Sequence, residues 1–198
     1  MKTDIYYFQA AYSGLEEKIW RVIEVSGRYK LHRLGYCVLA TFETQACHLF
    51  SLTTQNQRFV IPSGDAPLPP DTLDMASLRL EELHMKLGDT IDLVYESDPV
   101  QTFHLKLLDT KPIRGNRGLL YPYVSAGAGR GIIEGLSAED LGQLVSQIRR
   151  NGRTDSAVYY NDRPRPWDDR DFAVEADYKL LKKRILQIEE RFQPYWED

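Results

Sequence analysis

The stretch Ile19-Trp20-Arg21-Val22-Ile23-Glu24-Val25, preceded by the alternating run Tyr6-Tyr7-Phe8-Gln9-Ala10-Ala11, decides the fold. The first is rich in β-branched residues, and in the second Tyr6, Phe8 and Ala10 share one face. Ser13-Gly14 supplies a turn between them, so the two read as a hairpin. After a break at Ser26-Gly27, Leu31, Leu34, Val38 and Leu39 recur at helical spacing to about Phe42, predicting a helix packed on that hairpin despite Gly35 within it.

Outward from this core, residues 48–53 and 57–61 read as a strand pair turning at Gln55-Asn56. Pro62, Pro67, Pro69 and Pro70 then enforce a surface loop. Leu80, Leu83 and Leu87 share one face of a short helical segment that Gly88 ends, and strands follow over residues 90–95 and around Phe103, Leu105 and Leu107. A Gly-rich passage spans residues 113–135, and Ser137-Ala138-Glu139-Asp140 resembles a capping signal for a helix to about Ile148. Strands joined by short turns, with few helices, indicate an α+β domain with a mainly antiparallel sheet.

Residues 151–171 are polar and turn-rich, whereas Val174, Tyr178, Leu181, Ile185, Ile188 and Phe192 form a helical stripe. The division expected is an α+β domain over residues 1–150, then a polar linker and amphipathic C-terminal helix over residues 151–198. That stripe suits either a helix folded back on its own domain or a dimer seam, the former being favoured at this length.

The 198 residues are 42% hydrophobic and 27% charged, a globular composition that excludes wholesale disorder and fibrous repeats. Twenty-five Lys and Arg oppose 29 Asp and Glu, so no global field attracts nucleic acid or anionic membrane. The apolar run at residues 36–42 is far shorter than the roughly 20 residues that cross a bilayer. Two cysteines, and a start at Met1-Lys2-Thr3-Asp4 with no charged-then-apolar leader, point to a reducing cytoplasm.

Four segments together resemble a known family: Lys18 to Val25, His48-Leu49-Phe50-Ser51-Leu52, Leu87-Gly88-Asp89 leading to Ile91-Asp92-Leu93-Val94-Tyr95-Glu96, and Tyr121-Pro122 through Gly127-Ala128-Gly129-Arg130-Gly131-Ile132-Ile133-Glu134. In order and spacing, over residues 6–150, the chain is similar to the plasmid pRiA4b ORF-3-like family. The resemblance implies an α+β domain with a curved antiparallel sheet and an association with plasmids and mobile elements, but no reaction. The chain departs from the family pattern at Glu96-Ser97-Asp98-Pro99-Val100-Gln101, where an acidic run usually ends in Trp, and at Gly135-Leu136-Ser137, where Gly-Gly is usual.

Glu96 and Asp98 lie two apart at a strand end, with His104 on the next strand, a trio suited to acid/base work or to a divalent cation, the latter disfavoured because no further carboxylate or His stands at a telling spacing. Together with Arg130 they define a hydrolase or small-ligand reading. The competing reading is a solvated turn closed by Asp98-Pro99. Cys37, Cys47 and His48 offer soft-metal donors, and Cys47-His48 a nucleophile and base, but adjacent strand residues point to opposite faces, which separates Cys47 from His48. Trp20 is expected to fill core space and Arg21 to pair with Glu96 or hold a ligand. The glycines around Arg130 have the wrong spacing for either standard nucleotide loop and read as a tight turn with positive φ. The basic groups Arg149, Arg150 and Arg153, then Arg163, Arg165 and Arg170, then Lys182-Lys183-Arg184, are interspersed with acids and read as solvated faces before nucleic-acid contacts.

These readings favour a cytoplasmic, non-catalytic accessory protein that binds another protein through its sheet face or C-terminal helix, or a second copy of itself through that helix. Tyr178, Leu181, Ile185, Ile188, Phe192 and Trp196 are its expected contacts. No metal, cofactor or membrane is expected. The hydrolase or ligand-binding reading is the alternative, and nucleic-acid binding through the Arg clusters is the weaker one.

Overall fold

Alternation in β1 (Asp4–Tyr12) buries Tyr6, Phe8, Ala10 and Tyr12 on one face, as a one-sided strand requires. The computed structural model describes residues 4–62, 67–113, 121–151, 158–160, 163–165 and 183–188. β1 pairs antiparallel with β2 (Trp20–Ser26), which fulfils the hairpin expectation. The chain then enters α1 (Leu31–Thr41), β3 (Phe50–Thr53), β4 (Arg58–Val60) and β5 (Thr72–Asp74). One 3₁₀ turn, Leu80–Leu83, stands where a longer helical segment to Leu87 was expected. β6 (Thr90–Tyr95), β7 (Gln101–Pro112), β8 (Tyr123–Ala128) and α2 (Ala138–Asn151) follow.

Eight strands form one open sheet in the order β5-β4-β3-β6-β7-β1-β2-β8, antiparallel except for the parallel pair β4 and β5. The long central ladder of β1 on β7 carries a bulge where Phe8 pairs with Leu107 and Leu108 is skipped. β8 is an addition to the expected architecture, because a strand runs through the Gly-rich passage and pairs with β2.

The core lies on the face formed by Phe8, Ile23, Phe50, Leu93 and Phe103, onto which α1 places Leu31, Leu34 and Val38. Gly35 permits that approach, since a Cβ there would stand 2.1 Å from the Phe50 ring. Phe42, just after α1, packs on Phe103 with ring centroids 4.8 Å apart and the planes tilted by 40°. Ser137 caps α2 by accepting a bond from the Asp140 N–H at 3.1 Å.

Core formation continues beyond Arg150. Residues 183–188 form a helix, α3, whose Ile185 and Ile188 are buried in the same cluster. Arg184 beside them donates to the Ala40 carbonyl at the end of α1, at 3.2 Å, and so leaves the solvated basic grouping expected of it. Between α2 and α3 the polar stretch contains a small hairpin, β9 (Val158–Tyr160) with β10 (Arg163–Arg165). Tyr178, Leu181, Phe192 and Trp196, together with Arg153 and Arg170, lie outside the described residues. No helix among the described residues is long and apolar enough to cross a membrane.

Candidate functional site

Trp20 and Arg21 take the reverse of their expected places. Arg21 points inward and is 1% exposed, while Trp20 is only partly buried on the opposite face. The guanidinium survives burial because carbonyls receive it: Nη1 donates to Trp20 O at 2.8 Å and Ala128 O at 2.7 Å, and Nη2 donates to Arg130 O. It also lies 5.3 Å from the centre of the Phe42 ring. Arg21 therefore staples β2 to the end of β8, with its side chain in the core and its strand three places along the sheet from β6, which Glu96 follows.

The expected hydrolase residues go to separate partners. Glu96 approaches Arg58 at 3.8 Å, His104 bonds Asp92 at 2.7 Å, and Arg130 meets Glu43 at 3.4 Å. Asp92 and Glu96 are four residues apart along one chain, about 13 Å at strand rise. Asp98 is exposed at the β6–β7 turn. Glu96, Asp98, His104 and Arg130 are thus not gathered into one pocket.

A different set is gathered. The Gly-rich segment leaving β8 lies along the loop between α1 and β3, joined by the bond from Ile132 N–H to Phe42 O at 2.9 Å. Gly129 makes the entry possible: its φ is +67°, and a Cβ would meet the Lys18 carbonyl at 2.4 Å. Docking brings Glu134 against residues 45–48, where the Gln45 N–H donates to Glu134 Oε1 at 2.7 Å. From the end of β6, the buried Tyr95 reaches the same point. Its hydroxyl donates to Glu134 Oε1 at 3.0 Å and accepts from the N–H groups of Cys47 and His48 at 3.1 and 3.4 Å. Burial, and then the neighbouring Glu134 charge, push the Tyr95 pKa well above its ordinary value and keep the phenol protonated.

The result is a fixed loop with reactive side chains on its outside. Glu43 and Ala46 hold positive φ, at 66° and 52°, a cost that surrounding bonds must offset. Cys47 and His48 are exposed and Glu134 is half-buried, and one donor atom from each lies within 4.8 Å of the other two. Cys47 and His48 precede β3, so strand alternation does not hold them apart as expected. Tyr95 and Glu134 were not among the expected site residues. A signal for them existed, because His48, Tyr95 and Glu134 each sit in one of the segments that carry the family resemblance.

The family model described as plasmid pRiA4b ORF-3-like protein matches residues 4–176, beyond the boundary expected at Arg150. No curated protein matches the chain. Among solved structures, the crystal structure of a protein of unknown function from Methanosarcina mazei Go1 is similar, with a TM-score of 0.70 and 15% sequence identity. The match covers 89% of this chain and 97% of that one, and at this identity it speaks to the fold alone.

Proposed function

The chain belongs to the plasmid pRiA4b ORF-3-like family, and from that premise we propose that it is a cytoplasmic, non-catalytic accessory protein of mobile elements that works by holding another protein. The supporting observation is the loop after α1. Leu49, 60% exposed, stands beside exposed Cys47 and His48 on a backbone held by Tyr95 and Glu134. A surface already ordered before contact loses little entropy on binding, and an exposed large apolar side chain on it is an anchor. The C-terminal stripe is less suited to this role, since its Ile185 and Ile188 are already buried in the chain's own core.

The test is co-purification of the tagged full-length chain beside its Leu49→Asp variant, after nuclease treatment, with bound proteins quantified by mass spectrometry. A protein retained by the parent and depleted at least tenfold by the variant is the expected result. Equal retention by both, or no retained protein, would overturn the reading.

A further inference from the structure

The cluster of Cys47, His48 and Glu134 has a chemistry that protein recognition alone does not use. We propose that these three side chains form a zinc site with three protein ligands and a fourth position open to solvent. The inference goes beyond the protein-holding reading and does not depend on it, because metal occupancy is measured on the purified chain.

A thiolate sulfur, an imidazole nitrogen and a carboxylate oxygen are the three donor types that zinc accepts. Ligand bonds of about 2.0 to 2.3 Å place tetrahedral donors about 3.3 to 3.8 Å apart. Here the three donors lie within 4.8 Å of one another, so torsional adjustments of roughly 1 Å in exposed side chains close the set. Both Cys47 and His48 are exposed and able to make that adjustment.

Supporting bonds orient the ligands. Glu134 Oε1 accepts from Gln45 N–H and Tyr95 O–H, which fixes the carboxylate and leaves Oε2 out of both bonds. Tyr95 also holds the backbone N–H groups of the two other ligands. One buried phenol therefore bonds the carboxylate ligand directly and anchors the backbone that carries the other two, the kind of outer support that metal sites use. Cys37, the other thiol, is buried in the core and takes no part. The mixture of one sulfur, one nitrogen and one oxygen argues against calcium or magnesium, which take oxygen ligands.

The test uses purified full-length protein and Co²⁺ as a spectroscopic stand-in for Zn²⁺, with zinc affinity measured by competition against a chromophoric chelator. The parent is expected to bind one ion per chain and to show sulfur-to-cobalt charge transfer. Cys47→Ser should abolish that band, and His48→Ala and Glu134→Gln should each weaken zinc binding at least tenfold. Tyr95→Phe, which keeps all three ligands, should weaken it about tenfold. Circular dichroism checks that each variant is folded, and the two exposed ligand positions make that outcome the expected one. Absence of charge transfer in the parent, or zinc affinity unchanged in both Cys47→Ser and His48→Ala, would overturn the site.

Discussion

The Tyr95 hydroxyl donates to Glu134 Oε1 at 3.0 Å, joining residues 39 positions apart. The Tyr95 hydroxyl oxygen itself accepts the Cys47 and His48 N–H groups, so one atom ties the end of β6, the loop before β3 and the segment after β8. Tyr95→Phe removes this node while keeping the ring that fills the core. We predict a global destabilisation of about 1–2 kcal/mol and a larger local effect. Amide exchange at Cys47 and His48 should accelerate by about tenfold or more, while amides in the β1–β7 ladder follow only the global change. Hydrogen exchange resolved by residue checks this, and unchanged exchange at both amides would contradict the proposed node.

Arg21 tests how the sheet edge is held. Its guanidinium serves the carbonyls of Trp20, Ala128 and Arg130, so Arg21→Met leaves acceptors without their donor. Expected destabilisation is about 1–3 kcal/mol in urea unfolding, above the value for an exposed Arg. Lys at this position should recover little, because an ammonium cannot reproduce the planar fork.

The two residues at the head of β2 also show where a sequence reading stops. Alternation correctly separated Trp20 from Arg21, but hydrophobicity assigned the inside to the wrong partner. The decisive acceptors at Ala128 and Arg130 are more than a hundred positions away. The β1–β2 hairpin, α1 and the β6–β7 pair were legible because each carries its period locally. β8 was not, since a run containing Gly127 has weak strand propensity and gains its partner only from the tertiary pairing of Gly127 with Arg21. The candidate site failed to appear for a related reason: β3 starts at Phe50, so Cys47 and His48 belong to a loop to which period-2 alternation does not apply.

Helix α3 gives a stability prediction at the far end of the chain. Ile185 is 3% exposed within the shared core, whereas Leu186 next to it is 58% exposed. Ile185→Ala should cost about 2–4 kcal/mol, and Leu186→Ala should stay within about 1 kcal/mol. Equal, small effects in chemical unfolding would show that the helix is not part of the cooperative core.

The last prediction concerns acid. His32, in the first turn of α1, has its pKa pushed down to about 4. Burial is the main cause, partly offset by a bond to the Met75 backbone and by Asp74, and reinforced by Lys30 and Arg33. The folded state therefore resists a proton that the unfolded chain accepts near its ordinary value of 6.5. Above pH 6.5 neither state is charged at this position, and His32 makes no pH-dependent contribution. As pH falls from 6.5 toward 4 the unfolded state gains the proton first, so stability decreases across that window and levels off below it. The loss from this group is at most on the order of 3 kcal/mol. Urea unfolding of the parent and of His32→Gln at intervals from pH 7 to pH 4 isolates it. The difference between the two proteins should shift in favour of the variant as pH falls, and a constant difference would show that His32 ionises alike in both states.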